Sequence, residues 1–170
     1  MRIIDTKEIE ECVYQMARRA GLILTDSCRA ALNCAKERET GAAEFALSAL
    51  LENEKTAKRE QMPVCQDTGM AVVLLSLGQE VQLVGAPLKD AVNEGVRRAY
   101  EDGKFRKSIC DPLTRVNTGD NTPAHLHVEI AEGDKAAITY LHKGFGSETR
   151  SRLYMLTPAD ARAGIVTAIA

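Results

Sequence analysis

Along the first sixty residues the apolar positions recur at helical spacing. Ile9, Val13, Met16, Ala17 and Ala20 share one face after a capping-box-like start at Asp5 and Glu8, and Gly21 offers a stop. A second run opens at Thr25 or Asp26, turns Cys28, Ala31, Leu32 and Ala35 inward, and ends in KERETG. A third carries Phe45, Ala46, Leu47, Leu50 and Leu51, then becomes polar through ENEKTAKREQ before Pro63. Three amphipathic runs in succession predict a packed helical layer over residues 1–60.

The period then changes. AVVLLSL, ending at Gly78, is a continuous β-prone run short enough for a buried strand. From Pro87 a helix returns, with Leu88, Ala91, Val92, Gly95, Val96, Ala99 and Tyr100 on one face and Gly103 just beyond. HLHVEIAEGDKAAITYL reads as two strands around the turn EGD. TPADARAGIVTAIA opens a last helix with Thr157 as cap and Pro158 as its first residue. That helix lacks a stop signal, and Gly164, Ile165, Ala168 and Ile169 are still building an apolar face at the end of the chain. The pattern predicts an α+β fold, with a helical layer over 1–60 and a mainly antiparallel sheet with packed helices over 61–170. It also reads as the N-terminal portion of a longer, truncated chain.

Composition narrows the function classes. A net charge of −2 with interspersed signs argues against a nucleic-acid or anionic-membrane partner. No apolar run approaches membrane-spanning length, and MRIIDTKEIEEC is unlike a secretory leader. A cytoplasmic protein is expected. The five cysteines, at 12, 28, 34, 65 and 110, are odd in number and form no Cys-x-x-Cys pair, which disfavours a disulfide framework or a zinc knuckle. Cys12, Cys28 and Cys34 fall among alanines and aliphatics, where buried, inert thiols are expected.

Three polar, glycine-containing stretches interrupt this pattern. CQDTG, Cys65 to Gly69, sets a thiol, an amide and a carboxylate side by side just ahead of the strand. A thiolate binds soft metals and iron–sulfur clusters, and Asp67 could move protons. The same residues also fit an ordinary Asp-Thr-Gly turn with a buried thiol. The second stretch, Phe105 to Ile130, contains Arg106, a guanidinium suited to a carboxylate, and the turn-rich loop NTGDNTP. Lys107 and Arg115 read individually as solvated loop cations. His125 and His127 would share a strand face, and without a third ligand nearby they are assigned no metal. The third stretch, HKGFGSETRSRL, follows a strand; its backbone N–H groups suit an anion, and Ser147 with Glu148 could begin a helix. It matches neither a Walker loop nor a dinucleotide fingerprint. The combination suits a small carboxylate.

In order along the chain, PVCQDTGMAVV, RKS, NTGDNTPAHLHVEIAEGD, KGFGSE and LYMLTPADARAGI resemble the N-terminal part of the class I iron–sulfur hydro-lyases. That family comprises class I fumarate hydratases and the alpha subunits of L-tartrate dehydratase and two-subunit fumarase. The resemblance runs from about Gln61 to the end. It implies reversible hydration of a C4 dicarboxylate at a 4Fe–4S cluster held by three cysteines, whose open iron acts as a Lewis acid. Cys65 matches the first cluster cysteine, and Gln66 and Asp67 match the adjacent substrate-contacting pair, with Asp67 in an acid/base role. Arg106 matches the carboxylate-binding arginine and Gly146 a backbone contact to substrate. Phe145 departs from the all-glycine form of that loop.

The family's other two cluster cysteines match nothing here, and SICDPL around Cys110 fits neither segment. The resemblance therefore implies that these 170 residues alone are inactive and hold no intact cluster. A beta subunit or C-terminal domain would complete the pocket, within an oligomer. Two rivals stand beside this reading. One is a non-catalytic module that only folds and docks with a partner. The other, ranked last, makes Cys65 a nucleophile, although no histidine bears a recognisable relation to it.

Overall fold

The computed structural model describes residues 1–146 and 151–169. Among them the elements run β1 (Arg2–Asp5), α1 (Thr6–Leu22), α2 (Asp26–Lys36), α3 (Ala42–Glu60), β2 (Met70–Gly78) and β3 (Val81–Val84). Then come α4 (Leu88–Asp102), β4 (His125–Ala131), β5 (Ala136–Lys143), a 3-10 turn at Pro158–Asp160, and α5 (Ala161–Ile169). The molecule is α+β, as its patterning predicts.

The sheet is mixed rather than mainly antiparallel. Its order is β4-β2-β5, with β2 parallel to β4 and antiparallel to β5. The strands on either side of EGD are therefore not paired with each other, because β2 lies between them. β2 is the most continuously apolar strand, and Ala71, Val73 and Leu75 are buried in it, so the centre of the sheet is where it loses most water. β1 and β3 form a second, parallel pair from Arg2 opposite Val81 to Asp5 opposite Val84. Each has four residues, too few to show a period in the sequence.

The core lies where β2 meets α1 and α4. Ile9, Val13 and Ala17 of α1 pack with Val92, Val96 and Ala99 of α4 against Ala71 and Val73. The Asp5 side chain caps α1 by accepting the Lys7 N–H at 2.9 Å. The helix continues through Gly21, which lies against the Phe105 ring instead of ending it. Arg98 ties α4 to α1, bonding Glu10 at 2.7 Å and Glu11 at 3.2 Å.

The rest of the helical layer is thinner than expected. No residue of α2 is buried, and in α3 only Glu54 and Ala57 are. Phe45 is 77% exposed, and Cys12, Cys28 and Cys34 are exposed rather than buried. Periodicity identifies the residues that share a face; it does not supply a neighbour to cover them. α2 and α3 are joined by charge instead: Arg29 Nε donates to Glu54 Oε2 at 2.9 Å, and Glu54 also accepts the Leu24 N–H. Thr157 and Asp160 form the expected cap, but around the 3-10 turn ahead of α5, and α5 buries none of its residues. Among the described residues no helix is long and apolar enough to cross a membrane.

Candidate active site

All three polar stretches reach one end of the central sheet. Parallel pairing sets Val72 beside His125 near the start of both strands, while antiparallel pairing sets Met70 beside Lys143, the last residue of β5. The chain therefore delivers CQDTG entering β2, NTGDNTP entering β4 and KGFG leaving β5 to the same edge. Sheet polarity alone brings together residues about eighty positions apart in sequence.

Buried polar groups then lock the loops to one another. Gly69 has φ +50°, and a Cβ there would collide with the Lys143 carbonyl, so the loop passes the end of β5 only as glycine. Thr68 is buried; its hydroxyl donates to the Arg106 carbonyl at 2.8 Å, and its own carbonyl accepts the Tyr100 hydroxyl at 2.7 Å. Asn121 is fully buried at φ +63°. Its side-chain oxygen accepts the N–H groups of Ser108 at 2.6 Å and Ile109 at 3.1 Å, and its amide donates to the Gly69 carbonyl at 3.1 Å. Thr68 and Asn121 were not singled out from the sequence. An asparagine in a turn-rich loop looks like any other turn residue until its partners are known.

Gln66, Asp67, Arg106 and Gly146 line one pocket of about 590 Å³. Lys107 and Arg115, read from sequence as solvated loop cations, stand on the wall of the same pocket. So does Cys110, half-buried. Cys65 is exposed beside the pocket and does not line it; its Sγ accepts the Asp67 N–H at 3.4 Å.

The Asp67 carboxylate accepts the backbone N–H groups of Gly146 at 2.8 Å and Phe145 at 3.2 Å. These two bonds, helped by the positive charge of Arg106, hold its pKa below the usual aspartate range. A Cβ on Gly144 would stand 2.9 Å from Asp67 Oδ2, so the carboxylate lies tight against the glycine loop. The anion-binding N–H groups expected of that loop are thus directed at the chain's own carboxylate. The helix start expected at Ser147 and Glu148 lies outside the described residues.

Beneath the loops Tyr100, Phe105, Tyr140 and His142 form an aromatic floor, with ring centroids 5.2 to 5.6 Å apart. Burial pushes the His142 imidazole down to about 4, so it is neutral near pH 7. His125 and His127 are exposed on β4. Among the described residues no three His, Cys, Asp or Glu side chains come together as a metal-binding group.

Residues 10–170 match the family of fumarate hydratases (Fumerase). The chain is 33% identical over 166 residues to a candidate L(+)-tartrate dehydratase subunit alpha of Methanocaldococcus jannaschii, covering 93% of this chain and 58% of that protein. It is 30% identical over 155 residues to a candidate class I fumarate hydratase of Geobacillus stearothermophilus, covering 88% of this chain and 30% of the other. It is also 33% identical over 112 residues to the anaerobic class I fumarate hydratase of Escherichia coli K12, covering 64% of this chain and 20% of the other. The chain spans little more than half the length of the first relative and under a third of the other two. The match extends over every loop gathered at the sheet end, and the chain belongs to the fumarate hydratase (Fumerase) family.

Proposed function

We propose that this chain is part of a hydro-lyase that reversibly adds water to, or removes it from, a C4 dicarboxylate: fumarate and malate, or tartrate and oxaloacetate. The observation that carries this reading is the convergence of Gln66, Asp67 and Arg106 on one pocket. The names of its family relatives support it.

In this reading the Arg106 guanidinium grips a substrate carboxylate through a two-point contact, and the Gln66 amide orients the substrate's polar groups. Asp67, kept ionised by the Gly146 and Phe145 N–H groups, takes a proton from water in the hydration direction and returns it to the leaving hydroxyl in dehydration. Gly146 reaches substrate only if its N–H is shared with, or released from, Asp67.

A 4Fe–4S cluster would supply Lewis-acid chemistry at the hydroxyl. The fit to this chain is partial. Cys65 offers one exposed thiol beside the pocket, but the described residues bring no group of three donors together. We assign Cys65 as one ligand of that cluster. A beta subunit or C-terminal domain completes the ligand set and the pocket, within an oligomer working in the cytoplasm, and the 170 residues alone turn over no substrate.

The test is an anaerobic assay of the chain with and without that partner, following the fumarate double bond by absorbance and tartrate dehydration by oxaloacetate formation. Turnover only in the assembled, cluster-loaded sample is expected. Turnover by the 170 residues alone would refute their inactivity, and an assembled sample inert toward every substrate would refute the hydro-lyase. A second reading, a non-catalytic docking module, draws on the exposed Ile165, Val166 and Ile169 of α5. Dicarboxylate binding at Arg106 would exclude it.

A further inference from the structure

We propose that Arg115 is a second carboxylate-binding residue, so that Arg106 and Arg115 hold the two ends of a dianion. The inference rests on the dicarboxylate reading above and assigns a residue that the reading of the sequence left as a solvated loop cation.

Charge is the first observation. Among the described residues the pocket wall carries Arg106, Lys107 and Arg115 against the single carboxylate of Asp67. That leaves a surplus of two positive charges, which a dicarboxylate neutralises and a monocarboxylate does not. Among the described residues, none of these three cations forms an ion pair, whereas Arg29, Arg59, Arg97 and Arg98 all do. Charges left unpaired around one concavity fit an anion from outside the chain.

The second observation is the turn that presents Arg115. The Asp111 carboxylate accepts the N–H groups of Leu113 at 2.9 Å and Thr114 at 2.6 Å, together with the Thr114 hydroxyl at 3.0 Å. The Asp111 carbonyl accepts the Arg115 N–H and the Val116 carbonyl accepts the Asp111 N–H, both at 2.9 Å. Cys110 and Asn117 pair as an antiparallel bridge at the base of the turn. This closed turn holds Arg115 at φ +62°, a conformation natural to glycine and unfavourable for a long side chain. An arginine strained at this position, with its side chain on the pocket wall, points to a use for the guanidinium. Lys107 adds charge beside Arg106 but lacks a planar fork.

The test is ligand binding to the chain assembled with the partner that completes the pocket, followed by titration calorimetry. The probes are L-malate and 2-hydroxybutyrate, which lacks the distal carboxylate. Arg115→Gln and Arg115→Gly should each weaken malate binding about fivefold, the scale of a solvent-exposed charge pair, and leave 2-hydroxybutyrate binding unchanged. Arg115→Lys should recover part of the loss. Arg115→Gly also relieves the left-handed backbone, so it separates loss of the cation from loss of fold. Unchanged malate affinity in both Arg115 variants, with a loss in Arg106→Gln, would overturn this inference and leave the dicarboxylate reading standing. Equal weakening of both ligands would overturn it too, since Arg115 would then contribute only general charge. A wild-type protein that binds neither ligand would overturn the dicarboxylate reading itself, and this inference with it.

Discussion

The carboxylate of Asp67 and the backbone N–H of Gly146 are joined by a 2.8 Å hydrogen bond across seventy-nine residues of chain. With the parallel bond from Phe145, it makes the state of one side chain depend on the position of the glycine loop.

Both bonds favour the ionised carboxylate, so Asp67 should titrate below the ordinary aspartate value of 3.8. Because the folded-state value is lowered, the stabilisation it brings is present above the unfolded value and is lost as pH falls through the folded one. A carboxyl-detected NMR titration should give a midpoint below that of an exposed aspartate. Asp67→Asn should shift the Phe145 and Gly146 amide resonances and flatten the acid limb of stability. A midpoint at or above the ordinary value would contradict the geometry.

On the proposed hydro-lyase reading, Arg106→Lys in the chain assembled with its partner should raise KM and lower kcat, with kcat/KM falling about tenfold, because an ammonium cannot reproduce the fork. Steady-state kinetics with malate decide the matter. Parameters equal to wild type would remove Arg106 from the site.

Asn121→Ala should cost about 3 kcal/mol, since it strands the Ser108 and Ile109 N–H groups and the Gly69 carbonyl in a buried place. Asn121→Gly suits the positive φ yet loses the same bonds, so it should also be destabilised. Urea unfolding measures both. A stable glycine variant would show that backbone conformation, rather than bonding, selects asparagine here.

His142 is neutral in the fold, and its imidazole titrates at about 4 against an ordinary 6.5. The unfolded chain therefore binds more protons between those values, and this contribution to stability declines as pH falls from about 6.5 towards 4. Replacing His142 with Phe should lessen that slope in denaturation curves recorded across the window. An unchanged slope would mean that the ring is not held neutral.

Much of this arrangement was legible in the residues. β2 and α4 announce themselves because long, regular apolar patterns have few alternative placements. The site stretches stood out for the opposite reason, as polar glycine-rich breaks in a well-patterned chain. The neighbours of each strand were not legible: KAAITYL has the same alternation whether it pairs with β4 or with β2. The thiols of α2 were misjudged because burial depends on a partner surface that local sequence does not contain. Lys107 and Arg115 read as solvated because the place of a loop cation on a pocket wall depends on how the loop folds. Glu54 gave no warning either, since a carboxylate in a charged helix is ordinarily solvated.

The polarity of the central sheet has a practical consequence. The pocket occupies one end, while the Gly78–Glu80 and Glu132–Lys135 turns close the opposite end through bonds such as Gly78 N–H to the Lys135 carbonyl at 2.7 Å. The seven paired residues of β2 and β4 between them measure roughly 20 Å at the usual strand rise. A fluorophore or surface tether attached at the exposed Asp134 would therefore sit at the blunt end of the molecule. The protein could be immobilised there with its pocket loops open to solution.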